Sequence, residues 1–235
     1  MDVPLTIADH LRRASLVSGD RIGIIDEPEQ PAPSLGELTY RRFGETATAL
    51  AAGLDDLGLP LGARVAIVSQ NAARVLVHLY GTSAFGRVAV PVHFRLSRDE
   101  VEYIVQHCGA EVLIIDPELA DTLGDIPVAH RFIAGEESDA LYRFGVEPRP
   151  WQPDESATAT INYTSGTTAR PKGVEMTHRG LWVNAATCGW HAGVNDRDVY
   201  LHTLPMFHCD GWGMLYTVTA MGVKHVVLRK VDGAE

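Results

Sequence analysis

Residues 40–57 carry the clearest periodicity in the chain. Tyr40, Phe43, Ala47, Leu50, Leu54 and Leu57 recur at intervals of three and four, which lays one apolar stripe along one face of a helix. Gly58 and Pro60 end it. The apolar run at 64–68 then predicts a buried strand, residues 71–85 a helix, and 88–92 a second strand with Pro91 near its end. Ser97 and Glu100 form a capping-box pattern ahead of a helix whose apolar face is Val101, Ile104, Val105 and Cys108. A third strand is predicted at 112–115. Strands alternating with helices at this spacing argue for β-α-β crossovers and a parallel sheet covered on both faces, an α/β fold.

Between Ala134 and Ser156 the periodicity dissolves. Glu136, Glu137, Asp139, Pro148, Pro150 and Pro153 mark a polar connection, the best place for a boundary between two layers of structure. Beyond it the pattern predicts a strand at 158–163, a Gly/Thr loop and a short strand near Val174. A helix at 178–192, a strand at 199–203, a helix at 211–221 and a strand at 224–229 complete it. The chain shows no internal repeat and no low-complexity segment.

Composition narrows the partners. Among 235 residues, 46% are hydrophobic and 21% charged, a globular balance that rules out a disordered or fibrous chain. The net charge of −10, with no basic patch, argues against a nucleic acid or an anionic membrane surface. The longest charge-free stretch, residues 180–195, is too short to span a bilayer, so no integral membrane segment is expected. Asp2 and Asp9 sit where a signal peptide needs a basic start and an apolar run. Cys108, Cys188 and Cys209, odd in number and far apart, read as reduced thiols of a cytoplasmic protein. No histidine pair has zinc-motif spacing, and the run His208-Cys209-Asp210 sets three ligand types side by side in poor geometry for one ion, so no metal site is expected.

The chemistry concentrates in residues 163–178, which read Tyr-Thr-Ser-Gly-Thr-Thr-Ala-Arg-Pro-Lys-Gly-Val-Glu-Met-Thr-His. Four hydroxyls (Thr164, Ser165, Thr167 and Thr168), two glycines (Gly166 and Gly173) and Lys172 lie close together. Lys172 is one of only three lysines in the chain, with Lys224 and Lys230. A polyphosphate needs converging donors and a backbone free to approach it, which hydroxyls, glycine amides and an ammonium supply. A Walker A loop would need Gly-Lys followed by Ser or Thr at a helix start. Here Pro171-Lys172-Gly173 leads into a strand, so no helix dipole would stand behind the phosphates. The competing reading is a Ser/Thr/Gly-rich turn between strands; the rare lysine, with a proline fixing the chain before it, favours phosphate binding.

This loop resembles the phosphate-binding signature of the adenylate-forming superfamily, which includes acyl- and aryl-CoA synthetases, luciferases and peptide-synthetase adenylation domains. The resemblance extends along nearly all of the chain. Leu38-Thr-Tyr40 resembles the family's first core motif, and residues 64–115, with Pro91 and Arg95-Leu96-Ser97, its second region. Leu204-Pro-Met-Phe-His-Cys-Asp-Gly-Trp212 resembles the Pro-x-Phe-His-x-x-Gly motif in the form of the fatty-acyl and medium-chain acid–CoA ligase branch.

The resemblance implies layered sheets flanked by helices, as in the large N-terminal domain of these enzymes but incomplete here. Residues 1–157 would form a first α/β subdomain, and 158–235 the start of a second that carries the phosphate loop. It implies a carboxylic acid, ATP with Mg2+, and coenzyme A as co-substrate; a homo-oligomer is compatible with it. Thr164, Ser165, Gly166, Thr167, Thr168 and Lys172 would bind the β- and γ-phosphates, with Lys172 stabilising the departing pyrophosphate. His208 would orient the carboxylate; its structural competitor is a histidine filling a gap beside Trp212. Trp212 and Met206 are expected in the pocket wall or core, and Tyr80-Gly81-Thr82 is read as ordinary helix.

Two departures stand out. Ala169 occupies a position where the family usually has glycine, and if that residue needs a left-handed backbone, alanine costs about 1 kcal/mol. The family's later motifs, which hold adenine, ribose and the C-terminal catalytic lysine, are absent from these 235 residues, so the chain is expected to be an N-terminal portion with little turnover alone. The alternatives are a non-catalytic remnant that binds nucleotide or a partner, and an adenylating enzyme that loads a carrier protein.

Overall fold

The computed structural model describes residues 3–164 and 170–231. Ten strands are found among them: β1 Ile22–Ile25, β2 Glu37–Thr39, β3 Arg64–Val68, β4 Val88–Val92, β5 Ala110–Ile115, β6 His130–Ile133, β7 Thr158–Thr164, β8 Lys172–Thr177, β9 Val199–His202 and β10 Lys224–Val227. The longer helices are α1 Ala8–Val17, α2 Tyr40–Asp56, α3 Ala73–Ser83, α4 Arg98–Cys108, α5 His178–Ala192 and α6 Met214–Met221.

α2, α3 and α4 form where the sequence signals them. Thr39 caps α2 by accepting a hydrogen bond from the Arg42 amide at 3.1 Å, and Tyr40, Phe43, Ala47, Leu50 and Leu54 are buried along its stripe. Ser97 and Glu100 close a reciprocal capping box on α4, which ends at Gly109 in the left-handed conformation. Every residue of α3 is buried, the mark of a helix enclosed on all sides.

Six strands build the larger sheet in the order β6-β5-β3-β4-β7-β8, all parallel except the final β7–β8 hairpin. β3 shows why it is central. Val65 and Ile67 enter the core shared with α1, α2 and α3, whereas Ala66 and Val68 enter a second core on the opposite face, beneath α4. The smaller sheet has the order β2-β1-β10-β9. β7 extends the sheet of β3–β6 and β1 pairs with β10, so both sheets take strands from either side of the 157/158 boundary.

Three stretches differ from expectation. α1 forms where no element was predicted, and so do β1, β2 and β6, because strands of three or four residues carry too little pattern to stand out. The helix expected at 211–221 begins at Met214, since residues 209–213 turn left-handed: φ is 47° at Cys209, 49° at Asp210, 59° at Gly211, 64° at Trp212 and 74° at Gly213. Met206 is buried in the core as expected, but Trp212 is 72% exposed, lifted away by that turn.

Candidate functional site

β7 and β8 present the described ends of the candidate phosphate loop. They pair antiparallel with Thr164 opposite Lys172, so the two side chains project from the same face of the hairpin. Gly173 lets the hairpin close: a Cβ there would lie 3.0 Å from Ile161 Cγ2 and 3.2 Å from the Tyr163 ring. Lys172 begins a strand, so no helix N-terminus stands behind it, as its sequence context implied. Ser165, Gly166, Thr167 and Thr168 lie outside the described residues.

β4 and β7 run parallel with Ala89 opposite Thr160, a register that carried forward brings His93 level with Thr164. The carboxyl ends of adjacent parallel strands are where open α/β sheets bind ligands. The segment after β9 closes this edge. Asn71, at the entrance to α3, accepts a hydrogen bond from the Met206 amide at 2.9 Å, and its Nδ2 lies 3.0–3.2 Å from the carbonyls of His202, Leu204 and Leu228. Phe207 stacks on His93 with ring centroids 4.2 Å apart. Burial and the nearby charges of Arg95 and His208 lower the His93 pKa, which favours a neutral ring in that stack.

Downstream of His208 the left-handed turn is fastened by Asp210. Its side chain is fully buried, accepting from Asn162 Nδ2 at 3.1 Å and from Thr160 Oγ1 at 3.4 Å, both on β7. Burial raises its pKa to about 6, against the opposing pull of those hydrogen bonds.

Between these segments lies a cavity of about 400 Å³ bordered by His93, Tyr163, Thr164, Pro171, Phe207 and His208, with Glu100 at its wall. Two of the sequence-predicted residues, Thr164 and His208, therefore meet on one cavity. Lys172 is exposed beside Pro171 and does not line it. His208 is exposed rather than buried in a gap beside Trp212. His93 and Asp210 were not singled out as site residues from the sequence. His93 could have been found by its place just past the end of a central parallel strand; Asp210 had no signal beyond an improbable metal set.

Among the described residues no three His, Cys, Asp or Glu side chains converge as a metal site, and no helix is long and apolar enough to cross a membrane. The Thr164 hydroxyl and the Lys172 ammonium are two exposed donors paired at this end of the hairpin.

Comparisons with known proteins show the family and the fold. The chain is 31% identical over 242 residues to a long-chain-fatty-acid–CoA ligase of Thermus thermophilus, covering 97% of this chain and 44% of that protein. It is 29% identical over 267 residues to a peroxisomal acetate/butyrate–CoA ligase of Arabidopsis thaliana, covering 100% of this chain and 47% of that one. The inhibitor-bound N-terminal domain of FACL13 from Mycobacterium tuberculosis superimposes with a TM-score of 0.86 at 28% identity, over 97% of this chain and 58% of that domain. The chain thus spans about half the length of the curated relatives it matches. The AMP-binding enzyme family matches residues 11–235, and the chain belongs to it.

Proposed function

We propose that the protein carrying this chain is an ATP-dependent acid–CoA ligase, and that the cavity between β4, β7 and the His208 segment is where the acid meets the triphosphate. The observation that carries this reading is the meeting of Thr164 and Pro171, at the two ends of one loop, with His93 and His208 from separate segments, on one cavity at the carboxyl edge of the sheet. Family membership and relatives named as CoA ligases support it.

In the proposed reaction a carboxylate oxygen bonds to the α-phosphorus of MgATP while the bond to pyrophosphate breaks, giving an acyl-adenylate. The CoA thiol then forms a C–S bond to the acyl carbon as the C–O bond to AMP breaks, and the thiol proton leaves to solvent. Mg2+ enters with the nucleotide as part of the substrate. Lys172 and the hydroxyls of Thr164, Ser165, Thr167 and Thr168, with the Gly166 amide, hold the β- and γ-phosphates and offset the charge that grows on the leaving pyrophosphate. The His208 imidazole, facing the cavity, donates to the carboxylate and turns its nucleophilic oxygen toward phosphorus. CoA, rather than a carrier protein, is the acceptor in this reading, in line with the relatives' names. The free cysteines Cys108, Cys188 and Cys209 suit a reducing compartment such as the cytoplasm.

The test is AMP release from MgATP by the whole protein that carries this chain, in the presence of CoA and straight-chain carboxylic acids from acetate to palmitate. Release that requires both acid and CoA, with matching thioester, is expected. AMP release that no acid stimulates would overturn the reading.

A further inference from the structure

Residues 209–213 form a run of five left-handed residues, three of which are not glycine. Each non-glycine residue there costs about 1–2 kcal/mol, and such residues ordinarily occur singly. A run of this kind persists only where its surroundings over-determine it. The described structure supplies two constraints. Backbone bonds close the turn, from the Gly211 amide to the His208 carbonyl at 3.0 Å and from the Gly213 amide to the Cys209 carbonyl at 2.9 Å. The other is the Asp210 carboxylate, which reaches Asn162 and Thr160 on the strand that ends at Thr164. Upstream, Asn71 grips the segment as far as Met206. His208 thus sits between two buried polar anchors, and among the described residues Asp210 is the side chain that ties its segment to the strand leading to the phosphate loop.

We propose that Asp210 is a positioning residue whose buried carboxylate holds the left-handed turn against β7, and so fixes His208 and its neighbour Phe207 at the cavity beside Thr164. The idea deepens the ligase reading, on which the use of His208 rests, but its test does not require turnover.

The groups around Asp210 make the anchor sensitive to pH. β7 offers the neutral Thr160 and Asn162. α6 offers Tyr216, whose buried hydroxyl faces Asp210 without reaching hydrogen-bond geometry, and Tyr80 of α3 lies behind it at 5.7 Å between ring centroids. No cation among the described residues offsets the carboxylate. The turn is therefore held more firmly when Asp210 is protonated. An opening that returns the side chain to water lowers its pKa from about 6 to the ordinary value of 3.8. The opening equilibrium should consequently grow about 60-fold between pH 4 and pH 8.

Asp210→Asn keeps the shape and the bond from Asn162 but removes the titration; Asp210→Ala removes the anchor. Two signals are read by NMR. One is amide exchange at Gly211 and Gly213, corrected for intrinsic pH dependence. The other is the His93 imidazole resonance, shifted by the Phe207 ring stacked on it, assigned with His93→Gln. The wild-type turn should lose protection as pH rises through about 6, and Asp210→Asn should show no such step while keeping the shifted His93 resonance. Asp210→Ala should lose the His93 shift. If Asp210→Ala fails to fold, Asp210→Asn decides alone: a pH step that survives in it overturns the proposal. An unchanged His93 shift in a folded Asp210→Ala protein overturns it as well. Loss of these signals in a protein that activates no acid would leave the positioning role standing and refute the ligase reading only.

Discussion

Replacing His78 with glutamine should make the protein more resistant to acid. His78 lies in the middle of α3, 1% exposed, with Nε2 3.1 Å from the Val65 carbonyl. A carbonyl only accepts, so Nε2 carries the proton, and Nδ1 is left buried without a partner. Burial lowers the pKa from 6.5 to about 4. For a base with a depressed folded-state pKa, the folded protein is undisturbed above 6.5 and loses stability as pH falls toward 4. At pH 5 the unfolded chain takes up a proton that the folded chain refuses, a cost of about 2 kcal/mol. His10 and His178, also buried with pKa values lowered to about 4, and His202, lowered to about 3, add similar penalties. Together they approach the whole stability of an ordinary domain. Asp210, titrating in the opposite sense, offsets about 1 kcal/mol of this over the same range. Glutamine can keep the donor to Val65 without titrating. Urea unfolding of both proteins at pH 7.5 and pH 5 isolates the term. The stability difference between variant and wild type should shift by about 2 kcal/mol in favour of the variant at pH 5. A difference that does not change with pH would refute the reasoning.

Other outcomes follow from packing and charge. Gly53→Ala would set a Cβ 1.8 Å from the Leu141 carbonyl oxygen, prying α2 from the 134–156 connection; urea unfolding should show a loss of about 3 kcal/mol, and an unchanged midpoint would refute this contact. Arg229 grips Asp116 with bonds of 2.9 and 3.0 Å, joining the ends of β10 and β5, and both side chains are buried. Arg229→Ala should therefore cost about 3–5 kcal/mol by stranding the carboxylate, and adding Asp116→Asn should restore much of it. Ala169→Gly is expected to tighten MgATP binding by about fivefold, measured by calorimetry, if that position needs a left-handed backbone.

What the sequence disclosed depended on how local the cause was. The α2 stripe, the Ser97–Glu100 box and the strand–helix alternation from 64 to 115 act between near neighbours, and each produced the element expected. β1 is different: its four residues are a strand because β10 lies beside them, and that partner is nearly the length of the chain away. The left-handed turn after His208 was hidden for the same reason, since Asp210 adopts it to reach Asn162 and Thr160 across the fold. Thr164 and His208, which the fold brings to one cavity, stood out in the sequence because their residue types cluster in motifs; Lys172 stood out in the same way but lies beside Pro171, off the cavity wall. His93 was not, because its place on the cavity comes from the parallel register of β4 and β7.

The central claim is that the loop between β7 and β8 holds the outer phosphates of ATP with Lys172 as its cation. Calorimetric titration of wild type, Lys172→Ala and Lys172→Arg with MgATP and with AMP tests it most directly. A lost charge-assisted hydrogen bond is worth about 1.5–3 kcal/mol, so Lys172→Ala should weaken MgATP about 10- to 100-fold. Lys172→Arg should weaken it less, and AMP, which lacks the outer phosphates, should bind all three alike. MgATP affinity that survives Lys172→Ala unchanged, or an equal loss for AMP, would contradict the account.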